Sequence, residues 1–151
     1  MTTAAPSSGA FDGLWHVLPV RVYYEDTDFT GVVYHASYLR FFERGRTEFL
    51  RAIGVAHAAL LELPEPCAFA LTRIAVDFRK AARVDDALEV RTKYHRVSGV
   101  RIGAAQRILR DGEAIADAEV EVICIRPDGR PRRPPPELTR RLAPYLSPAA
   151  P

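Results

Sequence analysis

Residues 23–54 read YYEDTDFTGVVYHASYLRFFERGRTEFLRAIG, and this stretch decides how the rest of the chain is arranged. Its second half is helical by periodicity. At about 100° per residue, Tyr38, Leu39, Phe41, Phe42, Gly45, Phe49, Leu50, Ala52 and Ile53 fall in one arc about half the circumference wide. Arg40, Glu43, Arg44, Thr47 and Arg51 lie opposite. A stripe that wide needs to be wrapped, not merely touched along a line. The pattern predicts a helix from about Ala36 to Ile53, roughly 27 Å long. Gly54 follows just past its end, where a positive φ costs glycine little. Gly45 sits mid-stripe, and its propensity penalty of roughly 1 kcal/mol implies that another part of the chain comes close there. Arg46 falls inside the apolar arc and is expected to snorkel or to pair with an acid at an interface.

Upstream, Glu25, Asp26 and Asp28 crowd together after an apolar strand, Gly31 breaks the chain, and His35 lies in the first helical turn. An Asp before a helix commonly just caps a turn. The alternative is chemical: the unpaired N–H groups and positive dipole end of a helix beside a carboxylate form a setting that can stabilise a developing oxyanion.

Working outward, 151 residues suit one domain, long enough to bury roughly 68–70% of its unfolded surface. A formal charge of +2 is too small to imply a nucleic-acid partner. Cys67 and Cys124 lack CxxC spacing, so they read as reduced core thiols of a cytoplasmic protein, with no zinc site or disulfide framework expected. The first residues carry neither a secretory signal nor an apolar run long enough to span a membrane, and residues 1–12 are expected to be a disordered tail.

Leu18 to Tyr24 reads as a short strand, with Pro19 near its start. Val55 to Leu63 reads as a short helix or ordered loop, where a surface or packing role suits His57 better than ligation. In Ala68 to Lys80, Ile74, Val76 and Phe78 share one face while Phe69 and Leu71 have the other parity, so a bulge is predicted near Thr72 or Arg73. Three alternating runs follow. Leu88, Val90 and Tyr94 belong to the first, Val100, Ile102, Ala104 and Ile108 to the second, and Ala114, Ala116, Ala118, Val120 and Val122 to the third. Ser98-Gly99 and Asp111-Gly112 mark hairpin turns between them. From residue 127 to 151 the composition shifts to Pro and Arg, which reads as a solvated tail containing a brief helix over Glu137 to Leu146; contact with phosphate or anionic lipid is the other reading. Strand, long helix, then antiparallel strands give an α+β fold in two layers over residues 13–126, with an open sheet edge that a second copy could cover.

The run VRVYYEDTDFTGVVYHASYLRFFERGRTEFL strongly resembles the acyl-CoA thioesterases of the hot-dog fold, in particular the family associated with the Tol–Pal system and related to 4-hydroxybenzoyl-CoA thioesterase. The resemblance covers about residues 15–126. It implies a long central helix wrapped by a curved five-stranded antiparallel sheet, dimers that pair into tetramers, and hydrolysis of short-chain or aromatic acyl-CoA to free acid and CoA without metal or other cofactor. Contact with acyl-carrier or phospholipid-synthesis proteins is a further implication. Carried over by position, the catalytic aspartate falls on Asp28 and the helix-start histidine on His35. Asp26 matches an acidic position without a catalytic role. Gly31, Tyr34 and Ser37 are expected to contact substrate, although many relatives carry the longer Asn where this chain has Ser37.

A thioester needs an activated water or a carboxylate nucleophile, and something to hold the oxyanion. Asp28 suits the first in either form, and the backbone N–H of residue 35 suits the second. Arg96, Ser98 and Arg101, with Lys93 nearby, flank a hairpin where similar enzymes place contacts to the CoA phosphates. The same bases can instead face the acids of the last strand. Two other activities fit a chain of this kind: a hot-dog hydratase or dehydratase, and a non-catalytic acyl-carrier or phospholipid-synthesis partner.

Overall fold

The period-two runs become strands whose apolar parity all turns to one side. In the computed structural model, which describes residues 2–147, the strands are β1 (Ala10–Asp12), β2 (Trp15–Arg21), β3 (Ala68–Phe78), β4 (Ala87–Ser98), β5 (Arg101–Arg110) and β6 (Glu113–Ile125). They form one antiparallel sheet in the order β1-β2-β4-β5-β6-β3. Leu88, Val90, Tyr94, Ile102, Ala104, Ile108, Ala118, Val120 and Cys124 are all buried on the concave face. The register of β3 on β6 slips between Leu71 and Arg73, where the parity change predicts a bulge. A second slip on β4, between Tyr94 and Arg96, has no such signature.

Against that face lies α1 (His35–Ala52). Tyr38, Phe41, Phe42, Gly45, Phe49 and Leu50 are buried along it as the arc requires, whereas Leu39 and Ala52, at the arc's margins, are exposed. Gly54 follows with φ +89°. Gly45 faces the sheet so closely that a Cβ built there would stand 2.7 Å from Val90 Cγ1 and 2.8 Å from Thr92 Oγ1. The polar pair beneath it is satisfied: Gln106 Nε2 donates to Phe42 O and to Thr92 Oγ1, each at 2.8 Å. Arg46 Nη1 donates to Gln106 Oε1 at 2.9 Å. Within the chain Arg46 thus meets an amide carbonyl of the sheet, not an acid.

Three expectations are corrected. The sheet has six strands, not five; the sixth is β1, whose Ala10–Asp12 pair with Trp15–Val17 inside the segment expected to be a disordered tail. Phe11 anchors it, stacking on Tyr145 at 4.7 Å and meeting Phe49 edge-on at 5.1 Å. Nor is the segment after residue 126 a solvated tail. It folds back as α3 (Pro136–Leu142), burying Leu138 and Leu142, while Arg132 reaches the carbonyls of Glu65 and Pro66 and Arg141 Nη1 that of Ile53 at 3.1 Å. Residues 148–151 and Met1 lie outside the described residues. Between α1 and β3 a short α2 (His57–Leu61) forms; His57 is half-buried there against Phe69 and shares a 3.1 Å hydrogen bond with Thr47 Oγ1. No helix among the described residues is long and apolar enough to cross a membrane.

Candidate active site

Both aspartates of the EDTD run fold into the turn before α1, with different duties. Asp26 is buried, and its Oδ2 accepts the Tyr23 N–H at 2.8 Å while its carbonyl takes the Tyr34 N–H at 2.9 Å. It is a local structural brace. Asp28 is half-exposed on a loop that closes on itself: its N–H donates to Val32 O at 3.0 Å and its carbonyl accepts from Gly31 N–H at 3.1 Å. Gly31 has φ +84° and open space around its Cα, so glycine is required there by backbone conformation, not by room. Val33 N–H donates to Ala82 O at 2.8 Å and ties the loop to the connection before β4.

One oxygen of the Asp28 carboxylate, Oδ1, accepts both the Thr30 N–H, at 2.8 Å, and the Thr30 hydroxyl. The other has no donor among the described residues. The Thr30 hydroxyl, then its N–H, hold the carboxyl below its ordinary value; the charge of His35 adds to this and the slight burial opposes it. Asp28 is therefore an ionised carboxylate at neutral pH, anchored at one oxygen and free at the other.

The helix start faces the same region. Tyr34 is the N-cap, no side chain caps the helix, and Ser37 N–H turns back to Tyr34 O at 2.8 Å. The His35 N–H meets no acceptor among the described residues, so a free donor remains at the positive end of an 18-residue helix. The exposed Tyr34 ring lies 4.4 Å from the imidazole of His35, while Ser37 is buried. An open cleft of about 300 Å³ adjoins His35, lined by Val33, Tyr38, Phe78, Arg79, Lys80 and Ala81. Arg79 and Lys80 went unmarked in the sequence reading; their only signal was a basic pair directly after an apolar strand. They pair at the surface with Asp117 and Glu113, each at 2.6 Å.

Arg96, Ser98 and Arg101 are not brought to this cleft within one chain. The Asp28 loop is tied to the residues before β4, and the hairpin lies beyond the other end of that strand, about 36 Å of extended chain away. All three are exposed, and Arg101 Nη1 pairs with Glu121 at 2.6 Å, the pairing with last-strand acids that its position allows; Arg96 forms no ion pair among the described residues. No group of three His, Cys, Asp or Glu that could hold a metal occurs among the described residues.

Residues 22–142 match the model of the thioesterase-like superfamily. The chain is 48% identical over 107 residues to the acyl-CoA thioesterase YbgC of Haemophilus influenzae, an alignment covering 71% of this chain and 78% of that protein. It is 44% identical over 110 residues to the acyl-CoA thioester hydrolase YbgC of Escherichia coli O6:H1, covering 72% and 81%. Among solved structures, a probable thioesterase from Bartonella henselae superposes with TM-score 0.78 at 41% identity, covering 80% of this chain and 99% of that one. The hot-dog architecture, the matched span and these relatives together make the chain a member of the thioesterase-like superfamily.

Proposed function

We propose that the chain hydrolyses acyl-CoA thioesters to free acid and CoA, with Asp28 as the catalytic carboxylate. The observation that carries this reading is an ionised carboxylate, held through one oxygen, on the loop that leads into an uncapped helix start. The free oxygen can take a proton from water or attack the carbonyl itself. By the first route the water oxygen forms the C–O bond, the C–S bond breaks, and the proton taken up by Asp28 passes to the leaving CoA thiolate. By the second, Asp28 forms an anhydride as the C–S bond breaks, and water then cleaves that anhydride, which releases the acid, restores the carboxylate and supplies the proton to the thiolate. The His35 N–H donates to the developing oxyanion, and the His35 imidazole and Tyr34 position the thioester. Arg79 and Lys80 offer charge to the phosphates of CoA on the same side. The reaction is tested by running many turnovers in heavy-oxygen water: the released acid should gain a heavy oxygen atom, and release of CoA thiol with no labelled acid would mean acyl transfer to another acceptor.

The pH dependence follows from the Thr30 contacts. Because the active form is the carboxylate and its value is depressed, kcat/KM should hold until the pH falls below the ordinary carboxylate range, roughly 4. Thr30→Val removes the hydroxyl donor, the largest cause of the depression, so the acid limb should move to higher pH. A pH profile with an unmoved limb would show that Thr30 does not tune the catalytic group.

The site is completed by a second copy. Strand β3 is a bare edge with Leu71 and Phe78 about half exposed, and pairing there covers both. An antiparallel pair turns the second copy end for end, which carries its Ser98-Gly99 hairpin to the end of the sheet where Asp28 sits. Arg96→Ala with Arg101→Ala should then raise KM for acyl-CoA far more than it lowers kcat, since phosphate contacts bind ground and transition states alike. Mixing this double variant with Asp28→Asn subunits should restore activity, because one site of each mixed dimer is intact. No recovery despite proven subunit exchange would mean that each site is built from one chain.

A further inference from the structure

Midway along α1 a second cavity, of about 90 Å³, lies between the helix and the concave face of the sheet. Leu50, Leu71, Ile102 and Val122 give it apolar walls, and Arg46 is its one cation. Arg46 is half-buried; a cation partly withdrawn from water without a counter-ion is costly, and a chain that only needed to fill this arc of the helix would carry an apolar residue there. Yet the Arg46 guanidinium spends only the Nη1–Gln106 hydrogen bond, and no carboxylate pairs with it among the described residues. Gln106 is itself held by Phe42 O and Thr92, so the guanidinium is fixed in place with most of its five donors unspent. Burial draws its ionisation below the ordinary value, and the charge of Glu43 opposes this. On the wall beside it, Thr47 and His57 form a hydrogen-bonding pair, and burial, then the charge of Arg51, holds the imidazole below its ordinary value. Glu43 is the one acid lining the cavity and is itself exposed.

We propose that this cavity binds the carboxylate of a short aliphatic acid, with Arg46 as its partner. A guanidinium fork matches a carboxylate through two parallel hydrogen bonds, and the apolar walls suit methylene groups. The volume holds roughly six water-sized groups, which limits the ligand to a carboxylate and a few carbons. Such a group arrives either as the far end of a dicarboxylic acyl chain on CoA or as a free acid. The first source rests on the thioesterase reading and on paired β3 edges. Within one chain Arg46 stands about 16 Å along the helix from His35, beyond the reach of a short acyl group. Antiparallel pairing about Arg73 sets Phe78 of one copy opposite Ala68 of the other, so the cleft at His35 of one copy adjoins the Phe69 and Leu71 wall of its partner's cavity.

The test compares glutaryl-CoA with valeryl-CoA, which differ only in the terminal carboxylate, and measures binding of free glutarate by calorimetry on the full chain. The ratio of kcat/KM, glutaryl over valeryl, should fall by roughly tenfold or more in Arg46→Gln and rise in Glu43→Gln, where a repelling charge at the cavity is removed. Glutarate binding that depends on Arg46, with an unchanged acyl ratio, identifies the free acid as the ligand. The same binding without turnover of any acyl-CoA keeps the cavity and removes the thioesterase reading. If neither the ratio nor glutarate binding responds to Arg46→Gln, the proposal is overturned; should that variant not fold, an unchanged ratio and unchanged glutarate binding in the surface variant Glu43→Gln overturn it equally.

Discussion

Asp28→Asn should lower kcat by at least about a hundredfold while leaving the fold intact. The amide keeps the size of the side chain and can still accept the Thr30 N–H and hydroxyl through its oxygen, so the loop retains its shape. What is lost is the second oxygen: it becomes an NH₂ group, which neither takes a proton nor attacks a carbonyl. The neighbouring acid supplies the control. Asp26→Asn can likewise preserve its contact with the Tyr23 N–H, and because that carboxylate is buried as a brace, its variant should retain much more activity than Asp28→Asn. Circular dichroism and steady-state kinetics on the pair decide the matter. Equal losses would assign the chemistry to the wrong acid, and near-parental turnover of Asp28→Asn would remove the catalytic assignment altogether.

Gly45→Leu should cost about 3 kcal/mol through overpacking. Even a methyl group meets Val90 Cγ1 at 2.7 Å, Thr92 Oγ1 at 2.8 Å and Gln106 Nε2 at 3.1 Å. The last two belong to the polar network that holds Arg46, so relief by moving them leaves buried donors unmatched. Intolerance of this kind is the reason a helix former is absent from the middle of the stripe. Denaturant unfolding should show a lower midpoint with the same slope. A Gly45→Leu protein as stable as the parent would mean that the helix does not rest on the sheet along this line.

How much of this was legible before the structure depended on whether a signal was periodic. The face of α1 and the parity of β4, β5 and β6 follow from repeats of many residues, and the hairpin glycines and the β3 bulge follow from breaks in them. β1 escaped because three residues, Ala10–Asp12, have no period; only their pairing to β2 and the ring of Phe11 define them. The return of the C-terminal segment escaped for a different reason. Its Pro and Arg content reads as solvated, and the two residues that fix it, Leu138 and Leu142, are a single i, i+4 pair. At the candidate site the acids and the helix start could be read as a cluster, but not which acid is buried. Asp26 and Asp28 alternate along the chain like any two residues of a loop, and only the hydrogen bonds to Tyr23 and Thr30 separate the buried brace from the carboxylate with a free oxygen. Arg46 was visible as a misfit; its partner was not, because Gln106 lies 60 residues away in sequence.

The central claim, that this chain breaks a thioester at Asp28, is met most directly by measuring free thiol from a panel of acyl-CoAs, short aliphatic, long and aromatic, with the parent protein and with Asp28→Asn. The parent should release CoA thiol and acid stoichiometrically from short-chain or aromatic members of the panel, and the variant at a rate at least about a hundredfold lower. Acyl-CoA bound without thiol release, or water added across the double bond of crotonyl-CoA with the thioester left whole, would contradict it.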